Sequence, residues 1–234
     1  MKILSLLVLT TALLLPASLR AQSHGHLNAG VADANNNGIP DAGEKLAFVN
    51  ADEYDAASGF ILELTQKLSG RYAGTFSGNL TFTALGIDPL VGGPEPGHAA
   101  AGTHIVVQLV GVTGPAGGTF SFWDAAGSSP FASLAVGGTT SEALRWNLSE
   151  NDGLPGEDPY GHVHGRQFSV DQPGTYTVTF QLFDTSTNGA GGGAIHAPGD
   201  LFQMTFVAVP EPGTITLLLL AAAGFGVAGR LRRR

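Results

Sequence analysis

The sequence contains no cysteine, which excludes disulfide bonds, thiolate catalysis and cysteine-based zinc sites. Histidine, aspartate and glutamate are the side chains that remain as metal ligands. The G-x-S-x-G, H-E-x-x-H and P-loop patterns of common enzyme classes are also missing from the sequence. We therefore expect a non-catalytic protein that is stabilised by packing and by any ions that it binds.

Basic residues are scarce between the two ends of the chain. Six of the 11 lysines and arginines, but only one of the 19 acidic residues, lie in residues 1–21 or 209–234, which leaves 5 cations and 18 acids in residues 22–208, a net charge of −13. A surface with this charge repels nucleic-acid phosphates and attracts cations. We expect no nucleic-acid partner.

A short apolar segment closes the sequence. Pro210, Glu211 and Pro212 precede an uncharged run at 213–229, which is followed by Arg230, Arg232, Arg233 and Arg234. As a helix, residues 214–228 would span about 22 Å at about 1.5 Å per residue, against a hydrocarbon core of about 30 Å. The arginines favour the cytoplasmic side. Residues 209–234 are therefore predicted to hold a membrane-anchor helix, with the preceding chain outside the membrane.

The order of these three parts resembles the PEP-CTERM sorting signal of bacterial envelope proteins. The resemblance implies that an exosortase, a membrane peptidase, cuts the chain near Pro210, Glu211 and Pro212. It also implies that the inner membrane holds the protein before this step, and that the processed protein is found at the cell surface or in the extracellular matrix.

The other end of the chain has the layout of a secretory signal peptide. Lys2 precedes an apolar run at 3–15, and Pro16 and small residues follow. We predict a signal peptide at 1–21, with cleavage after Ala21. Residues 22–208 are then one exported domain, long enough for a sizeable core.

Short apolar runs alternate with turn residues through this domain. The clearest alternation places Tyr176, Val178, Phe180 and Leu182 on one face of a strand and threonines on the other. Helical periodicity is nearly absent, although residues 60–68 fit either a helix or a strand. The pattern predicts an all-β fold, an antiparallel sandwich of immunoglobulin-like or jelly-roll type.

Residues 33–44 match a twelve-position calcium-binding loop. The pattern needs side-chain oxygens at alternate positions, a glycine for the sharp turn, one carbonyl and a final bidentate carboxylate. Gly38 supplies the turn, and the predicted calcium ligands are Asp33, Asn35, Asn37, the carbonyl of Ile39, Asp41 and Glu44. Helical flanks are missing, so we expect this loop on a β scaffold. The alternative is an asparagine-rich surface turn.

Two His-x-His pairs are the candidate transition-metal ligands. His24 and His26 form one pair, and His162 and His164 form the other. On an extended segment both rings of a pair point to one face, and zinc accepts imidazole ligands in tetrahedral sets. Zinc is the expected ion, nickel and copper are alternatives that also accept imidazole, and the acids at 157 and 158 are expected to orient the rings. The alternative is four solvated histidines.

Residues 162–184, with the second His-x-His followed by Pro-Gly-Thr-Tyr-Thr-Val, resemble a histidine-bearing bacterial surface-anchored domain. This resemblance covers about a third of the chain, and its implied setting is a zinc-related one. The calcium-type loop lies outside the resemblance.

These observations predict an exported, exosortase-sorted surface or matrix protein that binds divalent cations and has no catalytic role. The alternative is a carbohydrate- or polymer-binding sandwich with a structural calcium ion and an exopolysaccharide as its partner. Its candidate sugar-stacking side chains are Tyr54, Trp123, Trp146 and Tyr160.

Overall fold

The structure is a computed structural model that describes residues 25–86, 97–124, 127–163 and 167–210. The predicted signal peptide and the predicted anchor helix lie outside the described residues. Within these four ranges, no helix has the length and apolar character needed to cross a membrane.

The described chain is built almost entirely from strands. In these ranges, α-helix is limited to the single turn α1 at Ala51–Tyr54, and 3-10 turns occur at Ala56–Ser58, Glu142–Leu144 and Ala190–Gly192. The strands are β1 (His26–Val31), β2 (Leu46–Phe48), β3 (Ile61–Gln66), β4 (Phe76–Asn79), β5 (Thr81–Ala84), β6 (Ile105–Thr113), β7 (Thr119–Trp123), β8 (Pro130–Ala135), β9 (Arg145–Asn147), β10 (Gly161–Val163), β11 (Gln167–Val170), β12 (Gly174–Asp184) and β13 (Phe202–Val209).

The strands form two sheets, which confirms the all-β prediction. One sheet has the order β10-β5-β1-β2, and the other has the order β8-β7-β11-β4-β3-β13-β12-β6-β9. Strands β1 and β5 pair in parallel, as do β3 and β13, so the purely antiparallel prediction is wrong for these pairs. The chain between the partners of each pair is long enough for the crossover that parallel pairing requires. The immunoglobulin-like or jelly-roll type is not confirmed.

The larger sheet curls until it is nearly closed. Just beyond β8, the backbone N–H of Val136 donates to the carbonyl of Gly118 at 2.8 Å, and that of Gly137 donates to the carbonyl of Val112 at 3.1 Å. These bonds bring the end of β8 beside the ends of β6 and β7. Closure of this kind protects strand edges that would otherwise be free to pair with other chains.

Aromatic side chains fill the core between the sheets. Phe120, Phe168 and Phe206 are fully buried, and Trp146 stacks on Phe122 with ring centroids 4.1 Å apart. Burying a side chain the size of phenylalanine contributes about 1.5–3 kcal/mol. The alternation predicted for residues 176–182 is confirmed in β12, and the ambiguous residues 60–68 contain β3.

Candidate functional site

The calcium-type loop connects two strands. Residues 33–44 join β1 to β2, which pair antiparallel with Ala29 opposite Phe48. The N–H of Ala32 donates to the carbonyl of Lys45 at 2.9 Å and so closes the base of the loop. The loop therefore lies on a β scaffold as expected.

Inside the loop, the first carboxylate holds the sharp turn. Asp33 accepts from the N–H of Asn37 at 3.0 Å through Oδ1 and from that of Gly38 at 2.8 Å through Oδ2. Gly38 has a φ of 73°, in the left-handed region that glycine adopts without strain. The glycine of the sequence pattern is therefore required by the turn.

The last carboxylate spans the loop. Glu44 accepts from the N–H of Ala34 through Oε1 and from the N–H of Asp41 through Oε2, each at 3.0 Å. Bonds to both carboxylate oxygens fix the orientation of this group, and each oxygen keeps a second lone pair. A bidentate ligand at the last loop position needs a carboxylate held in this way.

The side chains between these two carboxylates are hydrogen-bonded to one another. The amide groups of Asn35 and Asn37 donate to Asp41 Oδ2 at 2.7 and 2.8 Å. These two bonds, with that from Asn35 the stronger, lower the pKa of Asp41 below its ordinary value. The carboxylate is therefore ionised at neutral pH, the form that a cation requires.

In the described part of the chain, no three histidine, aspartate or glutamate side chains form a group that could hold a metal ion. The loop has only three acids among its six candidate ligands, and the other three are the amides of Asn35 and Asn37 and the carbonyl of Ile39. Hard cations such as calcium accept oxygen ligands of all three kinds. The donor set therefore fits calcium better than a metal that prefers nitrogen or sulfur.

One histidine of each His-x-His pair lies on the smaller sheet, His26 in β1 and His162 in β10. Strand β5 lies between β1 and β10, with Thr81 opposite His26 and Thr83 opposite His162. The imidazole centroids of His26 and His162 lie 4.9 Å apart, and His26 Nδ1 is 3.3 Å from the Thr83 hydroxyl. Thus one histidine of each predicted pair reaches the same place. His24 and His164 lie outside the described residues.

Glu150 holds a carboxylate beside the backbone of His162. Its Oε1 accepts from the backbone N–H of His162 at 3.1 Å. Glu157 Oε2 instead accepts from the N–H groups of Asp152 and Leu154, and Asp158 Oδ1 accepts from that of Tyr160. These bonds bind the carboxylates at 157 and 158 to their own loop, and their role in orienting the histidine rings remains a prediction.

Sequence reasoning missed a buried carboxylate that supports the calcium-type loop. Asp184, 9% exposed, accepts from the N–H groups of His104 and Ser186 through Oδ1, and from those of Ile195 and His196 through Oδ2. Burial alone would raise its pKa, but the N–H groups of Ser186, His104 and His196 bring the pKa below its ordinary value. No sequence motif marks such a residue, because its partners are backbone groups.

Residues 195–197 in turn hold the end of the loop. The N–H of Gly43 donates to the carbonyl of Ile195 at 2.8 Å, and the N–H of Ala197 donates to that of Glu44 at 3.0 Å. His196 Nε2 accepts from the N–H of Ala100 at 3.0 Å, and burial lowers the pKa of this imidazole. His196, which is buried and neutral, and the Asp184 carboxylate therefore fix residues 195–197, to which the backbone of Glu44 is hydrogen-bonded.

The candidate sugar-stacking residues are mostly inside the protein. Tyr54, Trp123 and Trp146 are buried, and Tyr160 is half-buried. Trp146 packs in the aromatic core, and the indole N–H of Trp123 donates to the Ser169 hydroxyl at 2.7 Å. The three buried rings cannot stack on a polymer without rearrangement, so the structure gives the carbohydrate-binding alternative no support.

The described chain reaches the predicted sorting signal directly from the sheet. Strand β13 ends at Val209, and Pro210 is the last residue described. Comparison with curated proteins and comparison with solved structures each gave no match. A family model for the PEP-CTERM protein-sorting motif matches residues 208–234. The chain therefore carries the sorting signal of an exosortase substrate, which implies export and membrane anchoring before cleavage.

Proposed function

We propose that the exported domain is a non-catalytic surface or matrix protein that binds divalent cations, with calcium in the loop at 33–44. The observation that carries this proposal is the Glu44 carboxylate, which is fixed across the loop by N–H bonds from Ala34 and Asp41. Asp33 is fixed at the opposite end of the same loop. Two oriented carboxylates and three neutral oxygen donors around one turn are the ligand types that calcium takes.

The affinity of such a loop is set by its charge. Asparagine at the third and fifth positions leaves three carboxylates, Asp33, Asp41 and Glu44. This low charge favours a weak calcium dissociation constant of about 10⁻⁴–10⁻³ M, as found in extracellular modules. At about 10 mM calcium, binding to the folded state alone would add about 1.4–2.7 kcal/mol to the free energy of unfolding. For a domain of this size, the melting temperature should rise by about 3–10 °C.

The test measures the melting temperature of the full chain in about 10 mM calcium and in chelator. Asp33→Ala and Glu44→Ala should each abolish the calcium-dependent rise. Asp200→Ala is the matched control, because this carboxylate is 83% exposed and pairs with Lys45 outside the loop. A wild type with the same melting temperature in calcium and in chelator would reduce the loop to a surface turn.

A second candidate site is favoured by the histidine pair on the smaller sheet. Two imidazoles on one tetrahedral zinc ion, with nitrogen ligands at about 2.0–2.1 Å, place their ring centroids about 5 Å apart. The centroids of His26 and His162 are 4.9 Å apart. We propose zinc at this pair, with His24 and His164 as the further nitrogen ligands that the sequence offers.

Calorimetric titration with zinc near neutral pH tests this second site. His26→Ala and His162→Ala should each weaken zinc binding at least about tenfold, since each removes a ligand nitrogen. His104→Ala is a control on a histidine outside the pair, whose Nδ1 lies 2.9 Å from Asn151 Oδ1. Equal binding by all three variants, or binding no tighter than millimolar in the wild type, would contradict the proposal.

A further inference from the structure

The sorting signal leaves the protein at one end of the larger sheet. Val209, the last residue of β13, lies opposite Thr65 near the end of β3. The strand registers place four other segments at the end of the larger sheet where Val209 lies. They are the turn after β3, the β6–β7 turn at 114–118, the segment 136–138 and the β11–β12 turn at 171–173. We call these turns, together with Val209 and Pro210, the tail-side rim.

Acidic residues are rare on the tail-side rim. Its described turns contain one acid, Asp171, whose Oδ1 accepts from the N–H of Thr119 at 2.8 Å. The β3–β4 loop at 67–75 has no acid, and it holds Lys67. Arg71 of the same loop donates to the carbonyl of Gly127 at 3.0 Å, in the β7–β8 loop away from the rim. The loop also presents Leu68, which is 79% exposed, and Val209 on the same rim is 54% exposed.

The acidic groups gather at the opposite end of the same sheet. Asp184 ends β12, Asp200 precedes β13, and Glu44 is bonded to the segment just before β13. The acidic loop at 150–158 is bonded to Gly102, which precedes β6. The eight residues of β13 separate the two ends by about 26 Å at about 3.3 Å per residue, against a screening length of about 8 Å at physiological salt. The negative charges at the far end are thus screened from whatever the tail-side rim faces.

Little chain separates this rim from the membrane. From Val209 to residue 214, where the predicted apolar segment begins, five residues can span at most about 17 Å. We propose that the tail-side rim rests on an anionic lipid surface before processing, with the calcium-type loop pointing away from it. Lys67 suits anionic headgroups, Leu68 and Val209 suit the interface, and Asp171 is the one acid in the described turns of the rim. The proposal rests on the membrane anchoring that the sorting motif implies.

The test uses the full chain in vesicles of phosphatidylglycerol and phosphatidylethanolamine that carry a headgroup nitroxide. Because the chain has no cysteine, single fluorophores can be attached at Ala116→Cys on the rim, Gln203→Cys on the outer face of β13 and Ala194→Cys at the far end. All three positions are exposed. Quenching at position 116 should exceed that at 203 and at 194 by about twofold or more. The reason is that the far end lies about 26 Å farther from the membrane surface than the rim does.

Two controls make the result decisive. Lys67→Glu should reduce quenching at position 116 with phosphatidylglycerol present and leave it unchanged in vesicles of phosphatidylcholine alone. Equal quenching at the three positions, or stronger quenching at 203 than at 116, would overturn the upright orientation. Flotation of the vesicles is scored first: a chain that does not float with them would refute the anchoring itself, a failure distinct from a wrong orientation.

Discussion

Replacing Asp184 by asparagine should destabilise the domain more than any other single loss of charge that the described structure suggests. The carboxylate accepts four backbone N–H groups, two on each oxygen, at distances from 2.7 to 3.1 Å. An asparagine keeps the shape but has one oxygen. Whichever way the amide turns, its NH2 group faces two N–H donors that have lost their acceptor.

The expected magnitude follows from the two bonds lost. Hydrogen bonds to a charged group contribute about 1.5–3 kcal/mol each, so two of them give about 3–6 kcal/mol before the segment relaxes. Relaxation at Ile195 and His196 should reduce this to about 3–5 kcal/mol, the range seen when a buried charged group loses its partner. At about 2–4 °C per kcal/mol, the melting temperature should fall by about 6–20 °C.

Urea unfolding followed by circular dichroism measures the free energy directly, and Asp200→Asn is the matched control. Asp200 is 83% exposed and makes a surface ion pair, so its loss should cost less than about 1 kcal/mol. A cost below about 1 kcal/mol for Asp184→Asn as well would refute the argument, since it would mean that the four N–H bonds add nothing over solvent.

The pH dependence provides an independent check. The pKa of Asp184 is lowered in the folded protein, so its charge contributes stability that is present above the unfolded pKa and is lost as pH falls through the folded value. The unfolded value is about 3.9. The difference in unfolding free energy between wild type and Asp184→Asn should therefore be constant near neutral pH and should narrow below about pH 4. A difference that stays constant down to about pH 2 would mean that the carboxylate is not the cause.

Two further predictions concern β10 and the tail. Gly161→Ala should displace β10 and weaken zinc binding, because an added Cβ would lie 1.9 Å from the carbonyl oxygen of Leu148, whereas Gly193→Ala, with nothing within 4 Å, should leave zinc titration and melting unchanged. Deleting residues 211–234 should send the protein to the medium, since the predicted anchor is then gone while Val209 keeps its place in the sheet. Cell fractionation decides the second prediction, and a truncated protein that remains with the inner membrane would show that the deleted residues are not the anchor.

Local patterns were predictable from the sequence because their physical causes are local. The alternation in β12 follows from one buried and one outward face, and the turn at Gly38 follows from the conformation that the loop needs. The spacing of Asp33, Gly38 and Glu44 in the sequence is therefore enough to predict which residue makes the sharp turn and which carboxylates lie at the two ends of the loop. The two parallel strand pairs could not be predicted, because no periodicity specifies which distant strand becomes the neighbour.

The histidine pair shows the same limit within a site. Each His-x-His could be recognised from the sequence, but the meeting of His26 with His162 depends on β5 lying between β1 and β10. Which acid lies beside His162 also depends on the topology of the chain. Glu150 reaches the N–H of His162 because the chain at 148–150 runs beside β10, with the N–H of Glu150 donating to the carbonyl of Tyr160 at 3.0 Å.

Strand β13 links the two ends of the molecule on which the proposals rest. It begins just after the segment that is bonded to Gly43 and Glu44, and it ends at the sorting signal. Hydrogen bonds join it to β12 on one side and to β3 on the other. A cut at or beyond Pro210 removes no residue of the strand, so these ladders and the loop geometry at their far end remain intact. The calcium binding that we propose should therefore be the same before and after processing, because the cut changes only the rim about 26 Å away.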